Sequence, residues 1–372
     1  MKAIGIILAG GNNNRMKELT AKRAVPALPV AGSFRSIDFA LSSMSNSHIQ
    51  TVAVLTQYNA RSLNEHLSSS KWWNFGRKQG GLFLFTPTVT ADNSDWYRGT
   101  ADAMYQNIDF LKRRHEPYVI ISSGDCVYKL DFNRVLDFHI EKKSDITVVC
   151  KDMMYNDDVS RFGVEHMDDE SRSTEFDEKP IEALSNTIST GIYVIRRRQL
   201  IELLEAAAEE NRFDFVNDIL VRYKNVKKIY GYKINSYWNN IADIDAYFKT
   251  NMDFLRPDVR SYFFREEPTI CSKVDDLPPA KFNPGSDISN SLVSSGCIIN
   301  GSVEDSVLFK QVFVGKNTTV KNCVILNDVY IGDNVHLENC IVESRGTSNP
   351  NTCYCGEDGV MIVKEKNVRY VI

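Results

Sequence analysis

The chain has 372 residues, with 44 lysines and arginines against 48 aspartates and glutamates, and a net charge of −4. That length suits two domains better than one core. The charge balance offers no broad field for nucleic acid or an anionic membrane surface, although a small anion needs only a few local cations.

With 43% hydrophobic and 25% charged residues the chain reads as an ordinary soluble globular protein. The apolar opening from Ile4 to Ala9 is too short for a signal-peptide core, and no later run approaches ~18 apolar residues. A cytoplasmic location is expected, with neither nucleic acid nor membrane as partner.

The first predicted element is a strand from Ala3 to Leu8 within MKAIGIILAG, running into Gly10 and Gly11 and then Asn12, Asn13, Asn14 and Arg15. This is the opening of a phosphate-holding loop in which asparagines stand where glycine is wanted. Asparagine tolerates positive φ, so the turn can persist, but its side chain fills space a phosphate needs. Further strands are predicted from Thr51 to Leu55, Tyr118 to Ser122, Ile146 to Cys150 and Thr190 to Ile195. Amphipathic stretches such as Ala101 to Arg114 and Arg198 to Glu210 lie between them.

Strands separated by helices predict a doubly wound, mainly parallel α/β sheet with its ligand crevice at the carboxyl ends of the strands. Asp125, directly after Ser-Gly at a strand end, either meets a ligand there or shapes its own turn. Asp243 precedes a helical stretch from Ile244 to Leu255 and reads as its N-cap.

Beyond Phe254, prolines at 257, 268, 278, 279 and 284 predict a linker wrapped on the surface. A repeat follows: DSVLFKQVFVGKNTTVK (305 to 321) and NCVILNDVYIGDNVHLE (322 to 338) match at a 17-residue offset, and NCIVES continues it. Aliphatic residues recur about every six positions around a V-G-x-N or I-G-x-N turn, the pattern of hexapeptide-type parallel β-helix coils. The alternative is a small sandwich of short strands. Three segments are expected: 1–255, a 256–285 linker, and a 286–372 β-helix.

Of eight cysteines only Cys353 and Cys355 are close in sequence, and a lone C-x-C reads as unpaired thiols rather than a metal or redox site. His336, the one histidine in the repeats, reads as a surface side chain. The histidines form no i,i+4 metal pattern.

The stretches LAGGNNNRMKELTAKRA, GSFRSIDFALS, TQY, WYRGTADAMYQN, SGDCVYKLDF, FDEKP, STGIYVI, SYWNNIADIDAYF and LPPAKF together make the chain similar to the glucose-1-phosphate adenylyltransferases over nearly its whole length. The resemblance implies a GT-A-like nucleotidyltransferase domain and a left-handed β-helix, assembled as a tetramer. It also implies a reaction of ATP with glucose 1-phosphate to give ADP-glucose and pyrophosphate, with Mg2+, in glycogen synthesis. Carried over position by position, it implies nucleotide contacts at Gly10, Gly11, Arg15, Gln57, Gly99, Thr100 and Asp102. Sugar-phosphate contacts fall at Glu178, Lys179 and Gly191, effector binding at Arg35, and catalytic roles at Arg15 and Asp125, the latter holding the metal.

The same resemblance exposes departures. Asn13 stands for a loop glycine, Val25 for a phosphate-binding lysine, Cys126 for a histidine, Asn240 for the second metal carboxylate, Val216 for a glycine, and Ser33 for an effector lysine. One carboxylate and an amide offset a hard cation poorly. The pattern resembles the GlgD-type subunit, a weakly active or inactive partner that alters the kinetics of a catalytic paralogue in a hetero-tetramer. Two other readings stand beside it: an independently active adenylyltransferase whose metal site is completed by water or Asp243, and an acyltransferase using His336.

Overall fold

The computed structural model describes residues 2–11, 14–76, 80–88, 95–154, 158–183 and 185–364. The N-terminal sheet has nine strands: β1 (Ala3–Leu8), β2 (Thr51–Leu55), β3 (Gly81–Phe85), β4 (Tyr118–Ser123), β5 (Ile146–Asp152), β6 (Gly163–Met167), β7 (Ser173–Glu178), β8 (Thr187–Arg196) and β9 (Ile229–Lys233). Their path is β7-β6-β8-β4-β1-β2-β3, with β5 pairing β8 and β9 pairing β5. The β4-β1-β2-β3 run is parallel throughout, with Ile6 opposite both Ala53 and Ile121. Every residue of β2 is buried, as a parallel strand covered on both faces requires.

Side-chain alternation along these strands splits the interior into two layers. Ile7, Val52, Val54, Ile120 and Val194 share one layer, whereas Ile4, Ile6, Val119, Ile121 and Ile195 share the other.

The strand expected near 190–195 runs antiparallel to both β4 and β5, so the sheet is mixed. Its approach explains this: β8 follows the antiparallel β6–β7 pair through a short loop, without the helical crossover that parallel entry needs. Its pairing slips between Ser189 and Ile192, where Gly191 takes φ 73°, a bulge that glycine accommodates without Cβ strain. The single helix expected from Ala101 is two, Thr100–Tyr105 and Ile108–Lys112. Asn107 breaks it, its amide donating to Ala103 O at 2.9 Å and to the Tyr97 hydroxyl at 2.9 Å.

In the proline-rich stretch, Pro257 opens the helix Pro257–Phe264, where a missing N–H costs nothing and the fixed φ suits the first turn. The β-helix begins at Lys281–Phe282, ahead of residue 286, and builds three parallel sheets of five strands each. The 17-residue offset is its register: Thr319, His336 and Cys353 stack, as do Val320, Leu337 and Tyr354. Val303, Val320, Leu337, Val314 and Ile331 fill the interior. Asn317, Asn334 and Asn351 turn one corner at positive φ, and their amides form a ladder with spacings of 3.3 and 3.0 Å.

A third apolar cluster joins the domains: Met16, Leu19, Val25 and Phe39 meet Tyr247, Phe254 and Phe263, which meet Val307, Phe309, Val324 and Leu326. Arg23 pairs with Glu343 across the same junction. No helix among the described residues is long and apolar enough to cross a membrane.

Glu165, on β6, is fully buried, and burial pushes its carboxyl up to about 8. A carboxyl raised above its unfolded value stabilises the fold fully below that unfolded value and loses the contribution as pH climbs through about 8. Urea denaturation should therefore show wild-type stability falling between about pH 5 and 8, while Glu165→Gln, lacking the titration, gains relative stability over that range by up to a few kcal/mol.

Candidate active site

In the parallel run β3-β2-β1-β4 the connections diverge to either side of β1, and such a switch point leaves a crevice at the carboxyl ends. A cavity of about 510 Å³ lies there, reached by Gly10 and Gly11 after β1, Gln57 after β2, Gly99 and Thr100 at a helix start, and Asp125 after β4. Val25 forms part of its wall.

The rim loop is held by internal bonds. Gln57 accepts from Tyr97 N at 2.9 Å and donates to Tyr97 O at 3.1 Å, spending both ends of its amide on the main chain of one residue. A methyl group on Gly99 would sit 2.3 Å from Phe213 O. Only glycine allows that approach. The same carbonyl accepts from Ala101 N at 2.8 Å and Asp102 N at 3.2 Å, and the Thr100 hydroxyl accepts from Phe215 N at 2.8 Å. Asp102 is buried and accepts from Arg98 N at 2.8 Å and Gln106 Nε2 at 3.0 Å. Gln57, Thr100 and Asp102, expected as nucleotide contacts, thus build the loop, and the same segment brings the Arg98 cation to the cavity, its guanidinium 3.8 Å from the Phe213 ring centroid.

Asp125 sits at the mouth of a short antiparallel strand pair, Cys126–Tyr128 against Trp238–Asn240, in which Asn240 lies opposite Cys126. Its carboxylate accepts from the Ser123 hydroxyl and, at 3.5 Å, from the Cys126 thiol. Cys126 is buried, and that burial, with the Asp125 charge beside it, pushes its thiol well above the ordinary range. Asn240 donates to the Cys126 sulfur at 3.3 Å, and its one side-chain oxygen accepts from Ala242 N at 2.9 Å.

A hard divalent cation wants anionic oxygens. Among the residues lining the cavity Asp125 is the one carboxylate, and position 240 supplies a neutral oxygen already bonded to backbone. These residues do not fit a two-carboxylate magnesium seat. Asp243 does not replace the missing acid: it caps the helix Ile244–Asp253 through Ala246 N at 2.8 Å and pairs with Arg161.

Arg15 lies on the exposed 3-10 turn Asn14–Thr20 and is not among the cavity's lining residues. Asn12 and Asn13 fall outside the described residues. Val25 is 5% exposed and packed into the interdomain cluster. Glu178 ends β7, and Lys179, at φ 50°, folds back so that its Nζ lies 2.9 Å from the Glu178 carboxylate. Gly191 approaches the cavity through Ser123, whose Cβ lies 3.5 Å from where a methyl on Gly191 would sit.

Arg35 belongs elsewhere. It lines a second cavity of about 430 Å³ between the domains, together with Glu65, Lys273, Asp275, Lys310 and Asp328. Its guanidinium donates to Ser62 O at 2.8 Å, burial lowers its pKa from the ordinary value, and Lys310 there already pairs with Asp275 at 2.8 Å.

Sequence reasoning did not find Phe213, the Tyr97 clamp or the Asn240–Cys126 pair. Their contributions are a main-chain carbonyl, the backbone N–H and C=O of one residue, and a cross-strand register, none of which leaves a residue-type signal.

The mixed sheet with its switch-point crevice, followed by stacked hexapeptide coils, defines a nucleotidyltransferase: residues 4–256 match the Nucleotidyl transferase family, and residues 278–362 match the GlmU-like, C-terminal hexapeptide family. The glucose-1-phosphate adenylyltransferase of Clostridium novyi is 38% identical over 320 residues, 85% of this chain and 84% of its own. That of Pseudothermotoga lettingae is 39% identical over 86% of this chain and 76% of its own, and that of Bacillus subtilis 36% identical over 86% and 84%. The chain belongs to the glucose-1-phosphate adenylyltransferase family.

Gly99→Ala should force the rim loop away from Phe213. The expected cost is about 1–3 kcal/mol of stability, the range for overpacking, read by urea denaturation.

Proposed function

We propose that this chain is a regulatory subunit of a glucose-1-phosphate adenylyltransferase, with little or no turnover of its own, that modulates a catalytic paralogue in a hetero-tetramer. The observation that carries this reading is the neutral amide at position 240, locked to Cys126 and Ala242 N where a metal carboxylate is called for. In the family reaction a phosphate oxygen of glucose 1-phosphate attacks the α-phosphorus of ATP as pyrophosphate leaves. Both reactants are anions, so the site must neutralise their repulsion and the charge that develops on the leaving group.

Here Val25 offers no cation, Arg98 and Asp125 are the one cation and the one carboxylate among the described residues lining the crevice, and Mg2+ is held weakly or not at all. Metal assistance is worth several kcal/mol, and each ~1.4 kcal/mol is tenfold in rate. What the chain retains is shape: a preformed rim, the strand-end glycines, and the Glu178–Lys179 pair, which suit binding of ATP, ADP-glucose or glucose 1-phosphate without efficient exchange.

A second reading, an independently active glucose-1-phosphate adenylyltransferase, is favoured by 38% identity to a named enzyme over 85% of the chain. Assay of the purified chain alone with magnesium, ATP and glucose 1-phosphate separates the two. The proposal expects a rate at least about a hundredfold below that of catalytic relatives, and ordinary turnover overturns it. Val25→Lys combined with Asn240→Asp should raise the rate at least about tenfold if the scaffold is intact, with a thermal melt confirming that the variant folds. Co-expressed with a catalytic paralogue, the chain should co-elute with it at micromolar concentration; separate elution sinks the hetero-tetramer.

A further inference from the structure

On the outer face of the β-helix, far from the crevice in sequence, the 17-residue register assembles a second chemical cluster. Strand Cys353–Cys355 pairs in parallel with His336–Glu338, placing Cys353 beside His336 and Cys355 beside Glu338. Leu337 and Tyr354 pack toward the coil interior, so the alternating residues His336, Glu338, Cys353 and Cys355 face outward together. His336 Nε2 lies 3.4 Å from Glu338 Oε2, and the two free thiols are 3.5 Å apart. The ligand atoms of His336, Glu338 and Cys355 are all within 4.8 Å of one another, and the exposed Cys353 stands outside that triad beside Cys355, so that it joins as fourth ligand only by turning its side chain.

We propose that His336, Glu338, Cys353 and Cys355 bind a soft divalent cation of the zinc type, which staples the last coil of the β-helix to the one before it. Tetrahedral zinc with arms of about 2.3 Å to sulfur and 2.0–2.2 Å to nitrogen or oxygen requires edges of about 3.8 Å between sulfurs and about 3.4 Å between nitrogen and oxygen. The observed sulfur pair and the His336–Glu338 pair match these edges to a few tenths of an ångström. Two thiolates and an imidazole select zinc over magnesium or calcium, and the carboxylate completes the set. The side chains of His336 and Glu338 are 42% and 38% exposed, so an ion can enter without burying an unpaired charge.

Neighbouring groups leave these ligands available. Lys321, one coil away, lies 3.6 Å from Glu304. Both cysteines are free thiols, so metal binding must release protons. Position in the fold supplies the reason for a staple. Among the described residues Cys353–Cys355 is the terminal strand of its sheet, stacked on one side where the inner strands are stacked on two. The following segment, Gly356 to Met361, lines a cavity with Lys17 and Asp245 of the first domain, so fixing the last coil also fixes that junction.

The test uses the full chain, reduced with a phosphine and stripped with a chelator, then titrated with Zn2+ against a chromogenic competitor. One equivalent should bind at submicromolar concentration, Zn2+ should raise the melting temperature, and Co2+ should produce a thiolate-to-metal charge-transfer band. Cys353→Ser with Cys355→Ser should weaken binding at least about a hundredfold and abolish the cobalt band, and His336→Ala should weaken it at least about tenfold. These side chains face outward, so the variants should keep the wild-type circular dichroism. If a variant misfolds, the cobalt band of the wild-type chain still decides. Absence of that band, failure of the reduced chain to bind Zn2+, or affinity unchanged in the double serine variant overturns the proposal.

Discussion

One apolar seam holds the molecule in its shape. It runs from Met16 and from Val25, which also lines the crevice, through Tyr247, Phe254 and Phe263, to Val307, Phe309 and Leu326 on the flank of the β-helix. Neither domain could leave that surface in water: burial of a large apolar side chain is worth about 1.5–3 kcal/mol, and the seam contains many. Val25 therefore has two allegiances, to the cavity and to the core between domains. A lysine at this position can keep its stem in the seam and send its ammonium into the crevice, whereas valine keeps the packing and gives up the charge.

The rim of the crevice is self-sufficient in the same sense. Gln57, Thr100 and Asp102 spend their hydrogen bonds on Tyr97, Phe215, Arg98 and Gln106, and Gly99 lets the helix start close on Phe213 O. Such a loop needs no ligand to hold its form, since its buried polar groups are already paired. Shape and charge are separable here: the shape is built from internal contacts, while the charge that anionic reactants demand depends on residues that contribute little to it.

How much of this was legible in the sequence follows from what kind of signal each feature leaves. The parallel strands and the coils leave periodicity, and both were readable, as was the Asp243 cap. The direction of β8 was not, because Thr190 to Ile195 has the same composition whichever way it enters the sheet. Pro257 misled as a breaker because its effect depends on position: at the first turn of Pro257–Phe264 it helps the helix it would break further in. Gln57 and Asp102 were located but not their bonds, since an amide that clamps Tyr97 and an amide that meets a base are the same letter. His336 and the Cys353–Cys355 pair were each read singly, for the offset that joins them lies in the coil register and not in any local spacing.

The register of the two crevice strands carries the last step. Cys126 and Asn240, where the resemblance to the family implies a histidine and a carboxylate, are cross-strand partners. Asn240 donates to the Cys126 sulfur, and Cys126 in turn donates to Asp125. A carboxylate at 240 beside Asp125 and a buried thiol would bring two like charges together and would need a cation between them, at a cost of several kcal/mol if none were bound. The amide and thiol need none. Asn240 and Cys126 thus place no second negative charge beside Asp125, and their side chains are bonded in series to its carboxylate.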